Sequence, residues 1–150
     1  MGYDTFNAFG SGYNASSVYA QAEAMKNHGL VDAGYKLIIL DDYYALKERN
    51  ATGHMVADPA KFPNGMPAFS KQINGLGMQL AAYGDNGYET CGGYPGSYGR
   101  ELLDLQTWHS WGMTYLKYDN CCKSCLDRPS LTATDGGESR YPGRQHHYGE

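Results

Sequence analysis

The strongest constraint on this chain is a repeated order: an apolar segment, a polar residue that closes it, then a stretch with helical spacing. Met1 to Phe9 is a short apolar and aromatic segment ending at Gly10, expected to be a strand with its exit loop. Ser16 and Ser17 are candidate helix caps, and Val18, Ala22 and Met25 then recur at helical spacing up to His28 and Gly29. Tyr35-Lys36-Leu37-Ile38-Ile39-Leu40 has the apolar, β-branched pattern of a buried strand and closes on Asp41-Asp42. A long loop through Pro63 and Gly65 leads to a second helix over Pro67 to Leu76, then to a third strand over Met78 to Tyr83. After a Gly- and Tyr-rich loop, Ser97 is placed to cap a third helix, in which Leu102, Leu105, Trp108 and Trp111 form an apolar stripe. Gly112 ends it, and Met113 to Tyr118 is a fourth strand closing on Asp119. Four strands alternating with three helices predict an α/β fold with a parallel sheet and right-handed crossovers.

The order stops near Cys122. Residues 126–150 show no period of 2 or 3.6 and few apolar side chains, so 1–122 is expected to be the folded unit and 123–150 an irregular or non-native tail. With 41% hydrophobic and 19% charged residues the chain has the balance of a globular protein. Its net charge of −4, with no basic run, argues against nucleic acid as a partner. No stretch approaches the roughly 20 apolar residues of a membrane span. No charged leader or apolar h-region is visible at Met1-Gly2-Tyr3, while Asn14-Ala15-Ser16 and Asn50-Ala51-Thr52 are glycosylation sequons that favour a secreted protein. The 14 tyrosines supply flat apolar faces with polar tips, which suit sugars as well as cores.

Four cysteines, Cys91, Cys121, Cys122 and Cys125, can pair in three ways. The C-x-x-C within Cys122 to Cys125 lacks the second spaced pair of a zinc site, so a structural disulfide is expected and no metal or cofactor. A doubly wound nucleotide-binding fold is disfavoured, because Gly10-Ser11-Gly12 is not followed by the third glycine of a phosphate loop.

Polar residues at consecutive strand ends carry the functional signal. Asp41 and Asp42 follow the second strand, Tyr83 and Asp85 the third, and Asp119 the fourth. In a parallel α/β barrel the loops at that rim build the active site, so residues far apart in sequence converge. Lys117 and Asp119 are two apart on one strand and point to the same side. The lysine is therefore expected to hold Asp119 ionised, as a nucleophile requires, and to donate to a sugar hydroxyl.

Met1-Gly2-Tyr3-Asp4-Thr5-Phe6-Asn7-Ala8-Phe9-Gly10, Leu40-Asp41-Asp42, Tyr83, Thr90-Cys91 with Pro95-Gly96-Ser97, and Trp111-Gly112 through Lys117-Tyr118-Asp119-Asn120-Cys121 resemble glycoside hydrolase family 27 over about residues 1–122. The resemblance implies a (β/α)8 TIM barrel, of which the first four βα units are here, hydrolysing α-galactosides with retention. It implies Asp119 as nucleophile, and Asp41 and Asp42 as the pair that binds the galactose hydroxyls at positions 4 and 6. By the same resemblance Lys117 contacts ring hydroxyls, Tyr83 lines the pocket, Phe6 stands in for a flanking tryptophan, and Cys91 pairs with Cys121 at the pocket edge. The partner is then a galactoside or galacto-oligosaccharide. The family also includes α-N-acetylgalactosaminidases, and an inactive sugar-binding remnant is the alternative of another class. The family's usual Met-Gly-Trp-Asn-Ser-Trp start reads Met-Gly-Tyr-Asp-Thr-Phe here, and Tyr43 replaces a common cysteine. The acid/base partner is expected outside this chain, since none of Asp127, Asp135, Glu138 and Glu150 ends a strand.

Overall fold

The computed structural model describes residues 1–121. The elements run β1 (Gly2–Asp4), α1 (Phe6–Phe9), α2 (Ala15–Asn27), β2 (Leu37–Ile39), α3 (Met66–Gly75), β3 (Gln79–Asp85), α4 (Glu101–Ser110) and β4 (Tyr115–Asp119). The strands form one parallel sheet in the order β1-β2-β3-β4. Sequential order with a helix after each of the first three strands is the βα arrangement of a barrel wall. The proposed tail 123–150, with Cys122, Cys125 and the four carboxylates named above, lies outside the described residues.

Strand register sorts side chains by parity. Asp4 pairs with Ile39, Ile39 with Ala81, and Ala81 with Tyr115. Alternate residues along each strand thus share one face: Asp4, Tyr83, Lys117 and Asp119 lie on one side, and Ile38, Leu80, Ala82 and Gly84 on the other. The second side packs on the helices. Val18, Ala22 and Met25 of α2, Phe69 and Ile73 of α3, and Trp108 of α4 are all buried there with Ile38, Leu40, Leu80 and Ala82. At Gly84 an added Cβ would lie 2.6 Å from the Trp108 ring, so α4 sits this close to β3 only because that position has no side chain.

Several local expectations change. The first segment is not one strand: β1 ends at Asp4, whose Oδ1 accepts from the Phe6 amide at 2.9 Å and starts the helical turn α1. The cap of α2 is Asn14 and not Ser16 or Ser17. Its Oδ1 accepts from the Ser17 amide while the Ser17 hydroxyl accepts from the Asn14 amide, both at 3.0 Å, a reciprocal capping box. Ser97 does not cap α4, which has no side-chain cap; its amide instead donates to the Asp85 carbonyl at 2.8 Å. The Leu102, Leu105, Trp108, Trp111 stripe is not the packed face, because Leu102 is 70% exposed and Leu105 48%. Asp104, Thr107 and Trp108 face inward. Asp104 can be buried there because Arg49 clasps both its oxygens, at 2.5 and 2.7 Å, while donating to the Gly53 and Gly96 carbonyls. An ion pair with its remaining donors satisfied is the form in which a charge tolerates burial.

Candidate active site

The site is assembled from the ends of all four strands. The Asp41-Asp42 backbone is fixed from two sides: the Asp41 amide donates to Thr5 Oγ1 at 3.0 Å, and the buried Tyr13 hydroxyl donates to the Asp41 carbonyl and, at 2.8 Å, the Asp42 carbonyl. Both carboxylates are buried, at 5% and 3% exposure. Asp42 is drawn toward the loop after β3. Its Oδ1 accepts from the Tyr43 amide and Thr90 Oγ1, each at 2.9 Å, and its Oδ2 from the Gly92 amide at 2.8 Å. A Cβ on Gly92 would come within 2.9 Å of Asp42 Oδ2 and 2.7 Å of the Tyr43 ring, so this approach needs glycine. Tyr43 holds a φ of 77°, the left-handed region that a bulky residue occupies only under constraint. That turn stacks its ring on Phe6, 46% exposed, with centroids 6.4 Å apart, and sets it edge-on to Tyr94 at 5.1 Å. The three rings form an aromatic rim beside the carboxylates.

Lys117 rises from β4 and reaches across the face. Its Nζ donates to Asp41 Oδ2 at 2.5 Å and to Asp4 Oδ2 at 2.9 Å, and lies 5.4 Å from the Tyr83 ring centroid. The expected pairing with Asp119 is therefore corrected: both side chains are on the predicted side, but Lys117 is among the partners of the first two strands. Burial pulls the Lys117 ammonium down, and its bonds to Asp41 and Asp4 more than offset this, holding it above its ordinary value. Asp41 is pushed up by burial, with the Lys117 and Asp42 amide bonds opposing and Asp4 adding to the rise.

Asp119 meets Tyr83 instead. The Tyr83 hydroxyl donates to Asp119 Oδ2 at 3.0 Å, and the Asn120 amide to Asp119 Oδ1 at 2.9 Å. Burial, then the bond to Asp119, raises the Tyr83 phenol and keeps it a donor. The tyrosine is itself held at its carbonyl by Tyr44, which accepts from Trp108 Nε1 at 2.8 Å, so a helix residue steadies the strand end. Cys91 and Cys121 are joined in a disulfide with Cα atoms 5.2 Å apart, Cys91 Sγ lying 3.6 Å from the Tyr83 hydroxyl. This crosslink ties the loop after β3 to the end of β4, closing a loop of 30 residues that contributes on the order of 3 kcal/mol. Asp85 does not face the site as a free acid: its oxygens accept from the Gly87 and Cys121 amides, each at 2.7 Å. Asp85, Cys91 and Cys121 place ligand atoms within 4.8 Å of one another, but the sulfurs are consumed by the disulfide.

The structure brings Asp41, Asp42, Tyr83, Lys117, Asp119, Phe6 and Cys91, named from the strand ends or from the resemblance, to one rim. Sequence reasoning missed Asp4, Thr90, Tyr13 and the Tyr43 turn as parts of it. Asp4 ends a strand just as Asp41 and Asp119 follow theirs, so the same rule would have found it.

Residues 13–133 match the family model described as Alpha galactosidase A. The chain belongs to this α-galactosidase family. It is 41% identical over 122 residues to α-galactosidase mel1 of Schizosaccharomyces pombe, covering 81% of this chain and 28% of that protein. It is 43% identical over 122 residues to the α-galactosidase of Cyamopsis tetragonoloba, covering 30% of it. Among solved structures, α-galactosidase I from Mortierella vinacea superposes with a TM-score of 0.79 at 40% identity over 81% of this chain and 30% of that one. The Saccharomyces cerevisiae α-galactosidase solved with raffinose gives 0.78 at 40% identity, over 81% of this chain and 26% of that one. The four strands and the helices between them are thus an N-terminal part of the α-galactosidase TIM barrel, and the chain spans under a third of the length of these relatives.

Proposed function

We propose that this chain supplies the nucleophile and the sugar-anchoring half of a retaining glycosidase acting on terminal α-linked galactose. The observation that carries it is convergence: four strands deliver Asp4 and Asp41, Tyr83, Lys117 and Asp119 to one concave face. Asp119 attacks the anomeric carbon. One of its oxygens is steadied by Tyr83, which donates to it without taking its charge. Asp41 and Asp42 accept from the hydroxyls at positions 4 and 6, and Lys117 donates a remaining N–H to a ring hydroxyl. Phe6, Tyr43 and Tyr94 offer apolar faces to the sugar ring. Cys91, at the disulfide, borders the pocket.

Retention needs a second carboxyl about 5–5.5 Å from the first, protonated to release the leaving oxygen. Among the described residues each rim carboxylate other than Asp119 is already engaged: Asp4 and Asp41 by Lys117, Asp42 by Thr90 and Gly92, Asp85 by two amides. None of these is free to be the acid/base residue, which this reading assigns to residues outside the described 1–121, and turnover by the chain alone is not expected. Purified chain incubated with a nitrophenyl α-galactoside is expected to release no nitrophenol; release that disappears in Asp119→Ala contradicts the division of labour.

The substrate partner is a galactoside or galacto-oligosaccharide, and neither nucleic acid nor membrane takes part. No described helix is long and apolar enough to cross a membrane. Secretion is supported by the disulfide and by the Asn50 sequon, which is exposed: the Thr52 hydroxyl donates to Asn50 Oδ1 at 2.9 Å, as do the Thr52 and His54 amides at 3.0 and 2.9 Å. These bonds fall on the oxygen and leave the amide nitrogen to solvent, where a glycan attaches.

A further inference from the structure

Asp4 has no part in the reaction as described above, and it stands where the resembled family start carries asparagine. Its two oxygens do different things. Oδ1 accepts from the Phe6 amide at 2.9 Å and locks the carboxyl to the turn after β1; Oδ2 accepts from Lys117 Nζ at 2.9 Å. The side chain is 20% exposed and the lysine's 38%. Lys117 belongs to β4, so this bond links the first and last strands of the sheet across the concave face, over a separation of 113 residues. Asp41, from the end of β2, holds the same nitrogen at 2.5 Å.

We propose that Asp4 is a positioning residue of the galactoside site: with Asp41 it fixes two of the three N–H groups of Lys117 and so aims the third at the bound sugar, while sharing with Asp41 a single compensating cation. The proposal rests on the glycosidase reading for the identity of the sugar, but its geometry does not.

A lone lysine on a flexible stem loses rotamer freedom when it binds a hydroxyl. Two carboxylates from different strands remove that freedom before the sugar arrives, which is preorganisation. The same arrangement has an electrostatic consequence. The groups around the Lys117 and Asp41 heads are Asp4 from β1, Asp42 and the Tyr13 hydroxyl beside β2, Tyr83 from β3 and Asp119 from β4. Among the described residues Lys117 is the one cation bonded to a carboxylate within this group, so Asp4 and Asp41 compete for it. Asp4 thereby favours the protonated form of Asp41, in the direction that burial already pushes it. A protonated Asp41 gives up acceptor capacity for the sugar, so galactose affinity falls on the acid side, and earlier than it would without Asp4.

The test uses the 150-residue chain labelled with carboxyl-carbon-13 aspartate, as wild type, Asp4→Asn and Lys117→Met. Asparagine keeps an oxygen for the Phe6 amide and removes the charge. The Asp41 carboxyl midpoint is expected to move to lower pH in Asp4→Asn and to higher pH in Lys117→Met. Calorimetric titration with galactose across the same range should show the acid limb of affinity shifting down in Asp4→Asn, and several-fold weaker binding on its pH plateau. A midpoint unmoved by Asp4→Asn, with or without a loss of thermal stability, would make Asp4 a merely structural residue and overturn the proposal. An unmoved midpoint in Lys117→Met overturns the shared cation even if Asp4→Asn fails to fold. The carboxyl titration requires no sugar: absence of galactose binding to the wild type counts against the glycosidase reading, and the midpoints still decide the role of Asp4.

Discussion

Burial pushes the Asp41 carboxyl above its ordinary value of 3.8, and the Lys117 and Asp42 bonds pull it back only in part. The sign of the effect on stability follows. With the folded value above the unfolded one, the native state keeps a proton over an interval in which the unfolded chain has released it. Stability due to this group therefore declines as pH rises through that interval and stays lower above it. Asp41→Asn does not titrate and escapes the decline. The stability of Asp41→Asn relative to wild type is expected to increase from below pH 3.8 toward neutrality, read from urea melts at several pH values; a difference independent of pH contradicts it. At this scale the sequence was most legible where chemistry and position coincide. Asp119 and the tandem aspartates stand out as acids closing apolar runs. The direction of Lys117 did not, because parity along a strand gives the face a side chain occupies and not which of several carboxylates on that face it reaches.

Arg49 and Asp104 join the loop after β2 to α4 in a pair whose carboxylate is fully buried. Removing the arginine leaves that charge without a partner, so Arg49→Ala is expected to lower the unfolding free energy by about 3–5 kcal/mol. Replacing both, Arg49→Met with Asp104→Leu, should cost far less, and chemical denaturation of the single and double variants checks it. The inward face of α4 holds Asp104, Thr107 and Trp108, with Trp111 partly buried just beyond the helix. That is a regular helical spacing, hidden from an apolar-residue reading because two of its members are polar. The α2 cap is divided between Asn14 and Ser17, so a single-residue cap pattern does not isolate it. Asn14→Ala is expected to lower stability by about 1 kcal/mol, measured by thermal melting. Strand and helix order, by contrast, was readable apart from the short α1, since each longer element has its own apolar run and its own glycine punctuation.

At the scale of the molecule, the sheet formed by the described residues has β1 and β4 as its edges. Tyr115 and Tyr118 of β4 are 52% and 46% exposed, as are Leu102 and Leu105 of α4 at 70% and 48%. In a closed barrel the next strand and helix cover such a flank. An edge not covered in this way offers a row of unpaired amides and carbonyls beside apolar side chains, so the isolated chain is expected to associate through it, and size-exclusion chromatography with light scattering checks this. A cooperatively melting monomer would show that this part of the barrel suffices. The central claim concerns Asp119, and it is tested by restoring the missing wall: residues 1–121 grafted in place of the matching segment of the fission yeast relative. The graft should hydrolyse a nitrophenyl α-galactoside. Asp119→Gly should lower turnover by roughly four orders of magnitude or more. Azide should then restore activity and yield the β-galactosyl azide, because the small anion attacks from the face that the carboxylate had occupied. Full activity in Asp119→Gly, or rescue giving no β-azide, would remove Asp119 from the role of nucleophile.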